Sequence, residues 1–134
     1  MTYYVASGVE NAARVNEAAA RLNALGHTRT YDWTRHGSVA AAPPEKKEQV
    51  ALSEARAVAE AELVLLLLPG GRGTHAELGL AIATAAQKRR ILVFSESNAP
   101  FEGADGFCVF YHHPAVTRVV CSFEELLARL PSLI

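Results

Sequence analysis

The sequence contains little cysteine and shows none of the spacings that cysteine-based metal sites require. Cys108 and Cys121 are the two cysteines among 134 residues, and no CxxC pair or Cys/His pattern accompanies them. Both stand in apolar, strand-like surroundings, which predicts buried and reduced thiols. We therefore expect a cytoplasmic protein without a zinc site. We also expect that it needs no other metal and no organic cofactor.

An excess of charge of one sign and long apolar runs are also missing. The net charge is −1 with 20% charged residues, and no basic block or stripe is present, which argues against polymeric nucleic acid as a partner. The longest apolar run, residues 63–68, is far too short to cross a bilayer. The first residues have a strand pattern rather than that of a signal peptide. We therefore expect no membrane association.

Strand and helix patterns alternate along the whole chain. Strand patterns occupy residues 2–6, 28–33, 63–68, 91–94 and 117–121, and residues 107–111 form a short strand or an extended segment. Helical patterns occupy residues 10–25, 45–61, 74–87 and 123–130. This alternation predicts one α/β domain, residues 1–134, with about five parallel strands and helices on both faces. The small size favours a flavodoxin-like three-layer sandwich with strand order 2-1-3-4-5.

A glycine-rich turn, residues 69–73, joins the most apolar strand to a helix. In the predicted order this turn and the end of the first strand flank one crevice, where ligands bind in open α/β sheets. Amides at a helix N-terminus favour anions such as phosphate, and an arginine there can pair with one. The candidate substrate-binding residues of this crevice are Ser7, Gly8, Gly71, Arg72, Gly73 and Thr74.

Glu77 has two interpretations that the sequence leaves open. Thr74 and Glu77 fit a capping box, which explains both residues without catalysis. Alternatively, Glu77 points into the crevice as a carboxylate nucleophile. Gly79 supports the second interpretation, because a glycine inside a helix costs about 1 kcal/mol relative to alanine and suggests close packing over the first turn.

Four further residues are candidates because of where they stand. Glu54 lies on the apolar face of the second helix and either reaches solvent or places a second carboxylate near the crevice. Tyr4 either packs in the core or hydrogen-bonds to a carboxylate, since Tyr3 and Tyr4 must face opposite sides of the sheet. Asp32 and Trp33 end the second predicted strand, and Trp33 either packs in the core or stacks on a planar ring.

Three stretches resemble the nucleoside 2-deoxyribosyltransferases: residues 4–8 (YVASG), residues 25–27 (LGH) and residues 73–79 (GTHAELG). The resemblance implies cleavage or transfer of an N-glycosidic bond of a nucleoside or nucleotide. It also implies that Glu77 is the nucleophile, that Tyr4 orients it and that Glu54 contacts the sugar. A homo-oligomer is implied as well, because these enzymes complete their sites with a neighbouring subunit. The loop lacks the aspartate that many transferases carry ahead of the Gly-Thr step, which favours simple hydrolysis or an altered substrate over base exchange.

The loop is also similar to that of a second family. Residues 69–77 match the PGGxGTxxE motif of the cytokinin-activating phosphoribohydrolases, the "lonely guy" family. That resemblance implies that the loop binds phosphate and ribose and that its glutamate helps to cleave a nucleoside monophosphate. A nucleotide-binding module without catalysis is the remaining alternative. Each of these interpretations predicts a small nucleoside or nucleotide as the ligand.

Overall fold

The computed structural model describes residues 1–85, 88–103 and 106–134. Five parallel strands form one sheet of order β2-β1-β3-β4-β5, and helices cover both of its faces. The predicted flavodoxin-like order is therefore confirmed. The strands are β1 (Thr2–Ser7), β2 (Thr28–Arg29), β3 (Leu63–Leu67), β4 (Arg90–Ser95) and β5 (Val116–Val120), and the helices are α1 (Ala12–Ala24), α2 (Pro44–Glu60), α3 (Arg72–Ala83) and α4 (Phe123–Leu133).

The central strand β3 is buried along its whole length, as its unbroken apolar run predicts. It pairs with β1 on one side and with β4 on the other. Helices α2 and α3 pack beside each other on one face of the sheet, and α1 and α4 pack on the other. The Tyr3 hydroxyl donates to the Ala19 carbonyl of α1, whereas Tyr4 points towards α3. The two tyrosines therefore face opposite sides of the sheet, as expected.

Two strand predictions were wrong, because local polar contacts override the strand pattern. The predicted strand 28–33 shortens to the edge strand β2, since the Asp32 side chain accepts the Thr34 amide (3.0 Å) and starts a 3₁₀ turn at Trp33–Arg35. Residues 107–111 contain no strand, because a 3₁₀ turn occupies Val109–His112.

Helix α3 begins two residues earlier than predicted. Gly71 is its N-cap, so Gly73 and Thr74 already lie in the first turn. The Thr74 hydroxyl accepts the Gly71 amide (3.2 Å) and satisfies a donor at this helix end. The helix ends at Ala83, and positions 86–87 of the predicted helix lie outside the described residues.

Both cysteines are partly buried, free thiols that pack against the core. They are thus less buried than their apolar neighbours suggested. Within the described residues, no helix combines the length and apolar character that a membrane crossing requires. In the same part of the chain, no three His, Cys, Asp or Glu side chains are grouped as metal ligands would be.

Candidate functional site

A cleft of about 590 Å³ opens at the carboxyl edge of the sheet, where β1 and β3 lie side by side. The connection after β1 leads to β2 and the one after β3 leads to β4, so the chain departs in opposite directions there. The Gly8 amide donates to the Pro69 carbonyl (3.4 Å) and ties the two loops together. The predicted site residues that line the cleft are Ser7, Gly8, Trp33, Glu54, Gly71, Arg72, Gly73, Thr74 and Glu77.

Glu77 reaches the cleft from the buried face of α3. Thr74, Glu77, Leu78 and Ala81 share that face at helical spacing, so the Glu77 side chain turns towards the sheet. Its Oε2 accepts a hydrogen bond from the Tyr4 phenol beneath the cleft. The expected Thr74–Glu77 capping box is wrong, because Thr74 lies inside the helix and bonds Gly71 instead. Capping therefore does not explain why a carboxylate stands here.

The surroundings of Glu77 favour its protonated form. Burial, which leaves the residue 8% exposed, is the largest cause and raises the pKa of the carboxyl to about 8. The Tyr4 hydrogen bond opposes this rise, whereas the negative charge of Glu54 adds to it. A buried carboxyl with a raised pKa in a cleft is typical of functional sites.

Tyr4 is fully buried and does not line the cleft itself. Burial and the nearby Glu77 carboxylate both raise the pKa of its phenol, so the hydroxyl keeps its proton and acts as a donor. Tyr4 stands opposite Val64 of β3 in the register of the sheet. This pairing fixes the hydroxyl under α3, where it can hold the Glu77 side chain in one orientation.

Glu54 provides a second carboxylate at the same cleft, from α2. Burial raises the pKa of its carboxyl, and the charge of His36 lowers it. The side chain is partly buried and lines the cleft, which favours the second of its two interpretations, a carboxylate near the crevice. Two carboxylates in one cleft with different surroundings can take different roles in acid–base or nucleophilic chemistry.

The loop before α3 is shaped by close packing at one glycine. A Cβ atom on Gly70 would lie 2.5 Å from Cγ2 of Thr74, a residue that is 3% exposed.

The Gly71 amide already donates to the Thr74 hydroxyl, so it is not available to a ligand, although its position in the sequence suggested that it would be. The amides that follow, beside the exposed Arg72, belong to the first turn, where helix geometry provides no intrahelical acceptor. By contrast, a Cβ on Gly79 would meet open space, so the expected close packing over it is wrong within this protomer.

Asp32 and Trp33 differ from their predicted roles. Trp33 is 5% exposed, and its indole Nε1 donates to the Val5 carbonyl (2.8 Å), so the ring is a fixed part of the cleft wall. Asp32 does not line the cleft. Burial raises the pKa of its carboxyl, but hydrogen bonds from Thr34 and the charge of Arg29 (3.1 Å) outweigh burial and lower it. Asp32 therefore stabilises the turn rather than offering a ligand contact.

Residues 36–40 also line the cleft, although none of them was predicted as a site residue. His36, Val39 and Ala40 line it together with Glu10 from the turn after β1. The length of this loop was its only signal, because long loops in compact domains often carry function. The side chains of residues 36–40 come to the cleft because of how the elements pack together, and a local sequence pattern does not predict that packing.

A second, smaller cavity of about 260 Å³ lies on the other side of the Pro69–Gly70 step. His75 contributes to both the loop and this cavity, since its Nδ1 lies 2.7 Å from the Gly71 carbonyl and its Nε2 lies 2.5 Å from the Tyr111 hydroxyl. A carbonyl can only accept, so Nδ1 carries the hydrogen, and in the neutral imidazole Nε2 accepts from the Tyr111 hydroxyl. This chain of contacts braces the carbonyl of the α3 N-cap.

The strand order and the cleft at its switch point define an open, parallel α/β fold with a carboxylate site at its carboxyl edge. No protein-family model matches the chain, and no curated protein is significantly similar to it. Solved structures share the fold. The CMP N-glycosidase BcmB of Clostridium botulinum has a TM-score of 0.66 at 15% identity, over 98% of this chain and 99% of that one. A conserved protein from Enterococcus faecalis has a TM-score of 0.63 at 17% identity, over 100% of this chain and 99% of that one.

Proposed function

We propose that this protein cleaves the N-glycosidic bond of a nucleoside or nucleotide and that Glu77 is the nucleophile. The observation that carries this proposal is the buried hydrogen bond from Tyr4 to Glu77 at a cleft that also contains Glu54 and a helix N-terminus. Burial of a carboxylate costs free energy, and helix capping does not account for Glu77. A role as nucleophile at the anomeric carbon of a sugar would account for it. A solved structure of the same fold is a CMP N-glycosidase, which supports this reaction class.

In the proposed reaction the ionised Glu77 carboxylate attacks C1′ of the sugar. The C1′–N bond breaks, its electron pair stays on the base nitrogen, and the base takes up a proton. Negative charge on Glu77 stabilises the positive charge that develops at C1′. Water then attacks C1′, releases the carboxylate and yields the free sugar, while a second base in place of water gives transfer.

Tyr4 and Glu54 serve this reaction differently. Tyr4 orients Glu77 and, through its hydrogen bond, lowers the pKa of that carboxyl against the effect of burial. Glu54 lies at the cleft on the neighbouring helix, where its oxygens can accept hydrogen bonds from sugar hydroxyls. One carboxylate therefore reacts, and the other positions the sugar.

A nucleoside monophosphate is the second candidate substrate, as in the phosphoribohydrolases whose loop motif this chain resembles. The feature that favours it is the N-terminus of α3, which presents free amides and the exposed Arg72 at the cleft. Phosphate there would place the sugar towards Glu77, which lies further along the same helix. The base-cleaving reaction is the same in both cases.

We also propose that the chain forms a homo-oligomer. Large apolar side chains remain exposed in the protomer, among them Leu52 of α2 (66%) and Phe110 (51%). Exposed apolar surface of this kind marks association sites when it is contiguous. Sedimentation velocity of the purified protein tests this, and a monomer at micromolar concentration would contradict it.

The decisive experiment traps the covalent intermediate. The protein is incubated with 2-fluoro-2-deoxynucleosides and their 5′-monophosphates, and its intact mass is measured, followed by peptide mapping. A sugar adduct on Glu77 in the wild type, present in Glu54→Gln and absent in Glu77→Gln, supports the proposal. If no adduct forms and no base is released from a broad panel of nucleosides and nucleotides, the nucleotide-binding module is the better interpretation.

A further inference from the structure

Glu10 places a third carboxylate at the wall of the cleft, next to the loop that leads into α3. It lies in the 3₁₀ turn Val9–Asn11, which follows β1 closely, and it lines the cleft. Its side chain folds back over Gly8, because a Cβ atom on Gly8 would lie within 2.8 Å of both carboxylate oxygens. The Gly8 amide donates to the Pro69 carbonyl (3.4 Å), two residues before the N-cap of α3. The carboxylate therefore stands beside the loop at which a 5′-phosphate would bind.

The Glu10 carboxylate keeps its hydrogen-bonding capacity for a ligand. The residue is exposed, and among the described residues no hydrogen bond or ion pair engages its side chain. An ionised carboxylate only accepts hydrogen bonds. The 5′-hydroxyl of a nucleoside can donate one to it. A phosphate monoester instead brings about −1.5 to −2 charges at pH 7 and acceptor oxygens, so a carboxylate repels it and gains no donor from it.

The other charged groups of the cleft do not favour a dianion either. Glu54 and Glu77 add two carboxylates, whereas Arg72 supplies a positive charge. The charge of His36 acts on Glu54, since it lowers the pKa of that carboxyl. Glu77 must be ionised to attack the sugar, and a second anion in the same cleft disfavours that ionisation. A neutral 5′ end does not impose this penalty.

We propose that Glu10 selects unphosphorylated nucleosides over nucleoside 5′-monophosphates, an assignment that rests on the proposed function. Its carboxylate accepts a hydrogen bond from the 5′-hydroxyl and repels a 5′-phosphate by its charge. The nucleoside is therefore the preferred one of the two candidate substrates. Arg72 still contributes to the binding of a monophosphate, and the charge of Glu10 opposes that contribution.

The test measures kcat/KM for base release from three substrates that differ only at the 5′ position. They are a nucleoside, its 5′-monophosphate and its 5′-deoxy analogue, all with the base that the wild type releases fastest from the panel above. For Glu10→Gln, we expect kcat/KM on the monophosphate to rise about tenfold, because a like charge is removed. On the nucleoside it should change by less than about threefold, because the amide oxygen still accepts the 5′-hydroxyl. The 5′-deoxy analogue, which has neither group, should not respond.

Two further variants and the ionic strength separate charge from structure. Glu10→Asp keeps the negative charge, so it should show no gain on the monophosphate. Glu17→Gln removes an exposed carboxylate of α1 that does not line the cleft, and it should leave the selectivity unchanged. The gain of Glu10→Gln over the wild type should shrink as salt is added, because salt screens charges at exposed positions.

The outcomes of this test distinguish the role of Glu10 from the proposed function. A wild type with a higher kcat/KM on the monophosphate than on the nucleoside overturns the role while base cleavage stands. An unchanged ratio of the two substrates in Glu10→Gln does the same. A wild type that releases no base from any of the panel overturns both. A gain that is confined to the monophosphate and to the variant without the charge supports the role.

Discussion

The phenol of Tyr4 donates a hydrogen bond to Oε2 of Glu77, although the two residues lie 73 positions apart in the chain. The bond links helix α3 to strand β1 of the sheet. It holds the Glu77 carboxylate at the carboxyl end of β1. Burial raises the pKa of Glu77, and this bond is what opposes the rise. The tyrosine therefore acts on the ionisation of the carboxylate as well as on its direction.

Removal of the Tyr4 hydroxyl should shift the pH dependence of activity upwards. Since Glu77 has a pKa of about 8 and reacts as the anion, wild-type kcat/KM should rise with pH until about 8. In Tyr4→Phe the opposing hydrogen bond is lost, so a further rise of about 1 pKa unit should lower kcat/KM at pH 7 about tenfold. Tyr3→Phe is the matched control, because Tyr3 bonds α1 on the other face. A pH profile that stays the same in Tyr4→Phe would contradict the assigned role.

Glu77→Gln should stabilise the protein at high pH. Between the ordinary carboxyl pKa of 4.5 and about 8, folded Glu77 holds a proton that the unfolded chain releases, so wild-type stability falls as pH rises through this window. Glutamine removes that dependence. We expect the variant to exceed the wild type by on the order of 2–4 kcal/mol at pH 9 and by much less at pH 5.

Urea denaturation at the two pH values measures this difference. Glu48→Gln, an exposed change on α2, is the control and should show no such dependence. The idea fails if Glu77→Gln is less stable than the wild type at pH 9, because the carboxylate would then be stabilised by the fold.

Replacement of two glycines near the site by alanine should change the stability of the fold in opposite directions. Gly70→Ala places a Cβ 2.5 Å from the buried Thr74 side chain, so it should destabilise the fold by about 1–3 kcal/mol. Gly79→Ala adds a Cβ in open space inside α3 and should stabilise by about 0.5–1 kcal/mol. Thermal unfolding ranks the two variants directly. A loss of stability in Gly79→Ala would mean that a partner subunit packs over this position.

Arg72 should distinguish phosphorylated from unphosphorylated substrates. It is the first residue of α3 and lies exposed at the cleft. Arg72→Gln should raise KM for a nucleoside monophosphate about tenfold by removing a charged partner, which corresponds to about 1.4 kcal/mol. KM for the nucleoside should be unchanged. Arg90→Gln, at the opposite end of the sheet, provides the control. Equal effects on both substrates would place the phosphate elsewhere.

The contacts of His75 beside the smaller cavity show where local sequence patterns stop being informative. His75 was visible in the sequence as part of the loop motif, and its contact with Gly71 is local, yet its contact with Tyr111 depends on a segment 36 residues away. Gly79 illustrates the opposite failure. A helical glycine suggested close packing, but the space above it is open.

The sequence by itself determined the layers of this fold. The local properties that carried this prediction are apolar runs, helical periodicity and the positions of glycine and proline. They were sufficient to predict about five strands, their parallel order and the cleft between Ser7 and Gly71. Element ends were less certain, since single side-chain bonds such as Asp32 to Thr34 decide them.

Only the tertiary structure decided what the candidate residues do with one another. The register of β1 on β3 places Tyr4 beneath α3, and this makes Glu77 a buried, hydrogen-bonded carboxylate instead of the capping-box residue that was one of its two interpretations. Among the described residues, the same packing leaves Nε2 of His36 buried without a hydrogen-bond partner. Burial and hydrogen bonding set the ionisation of such groups, and both come from residues distant in the chain, so no local pattern contains them.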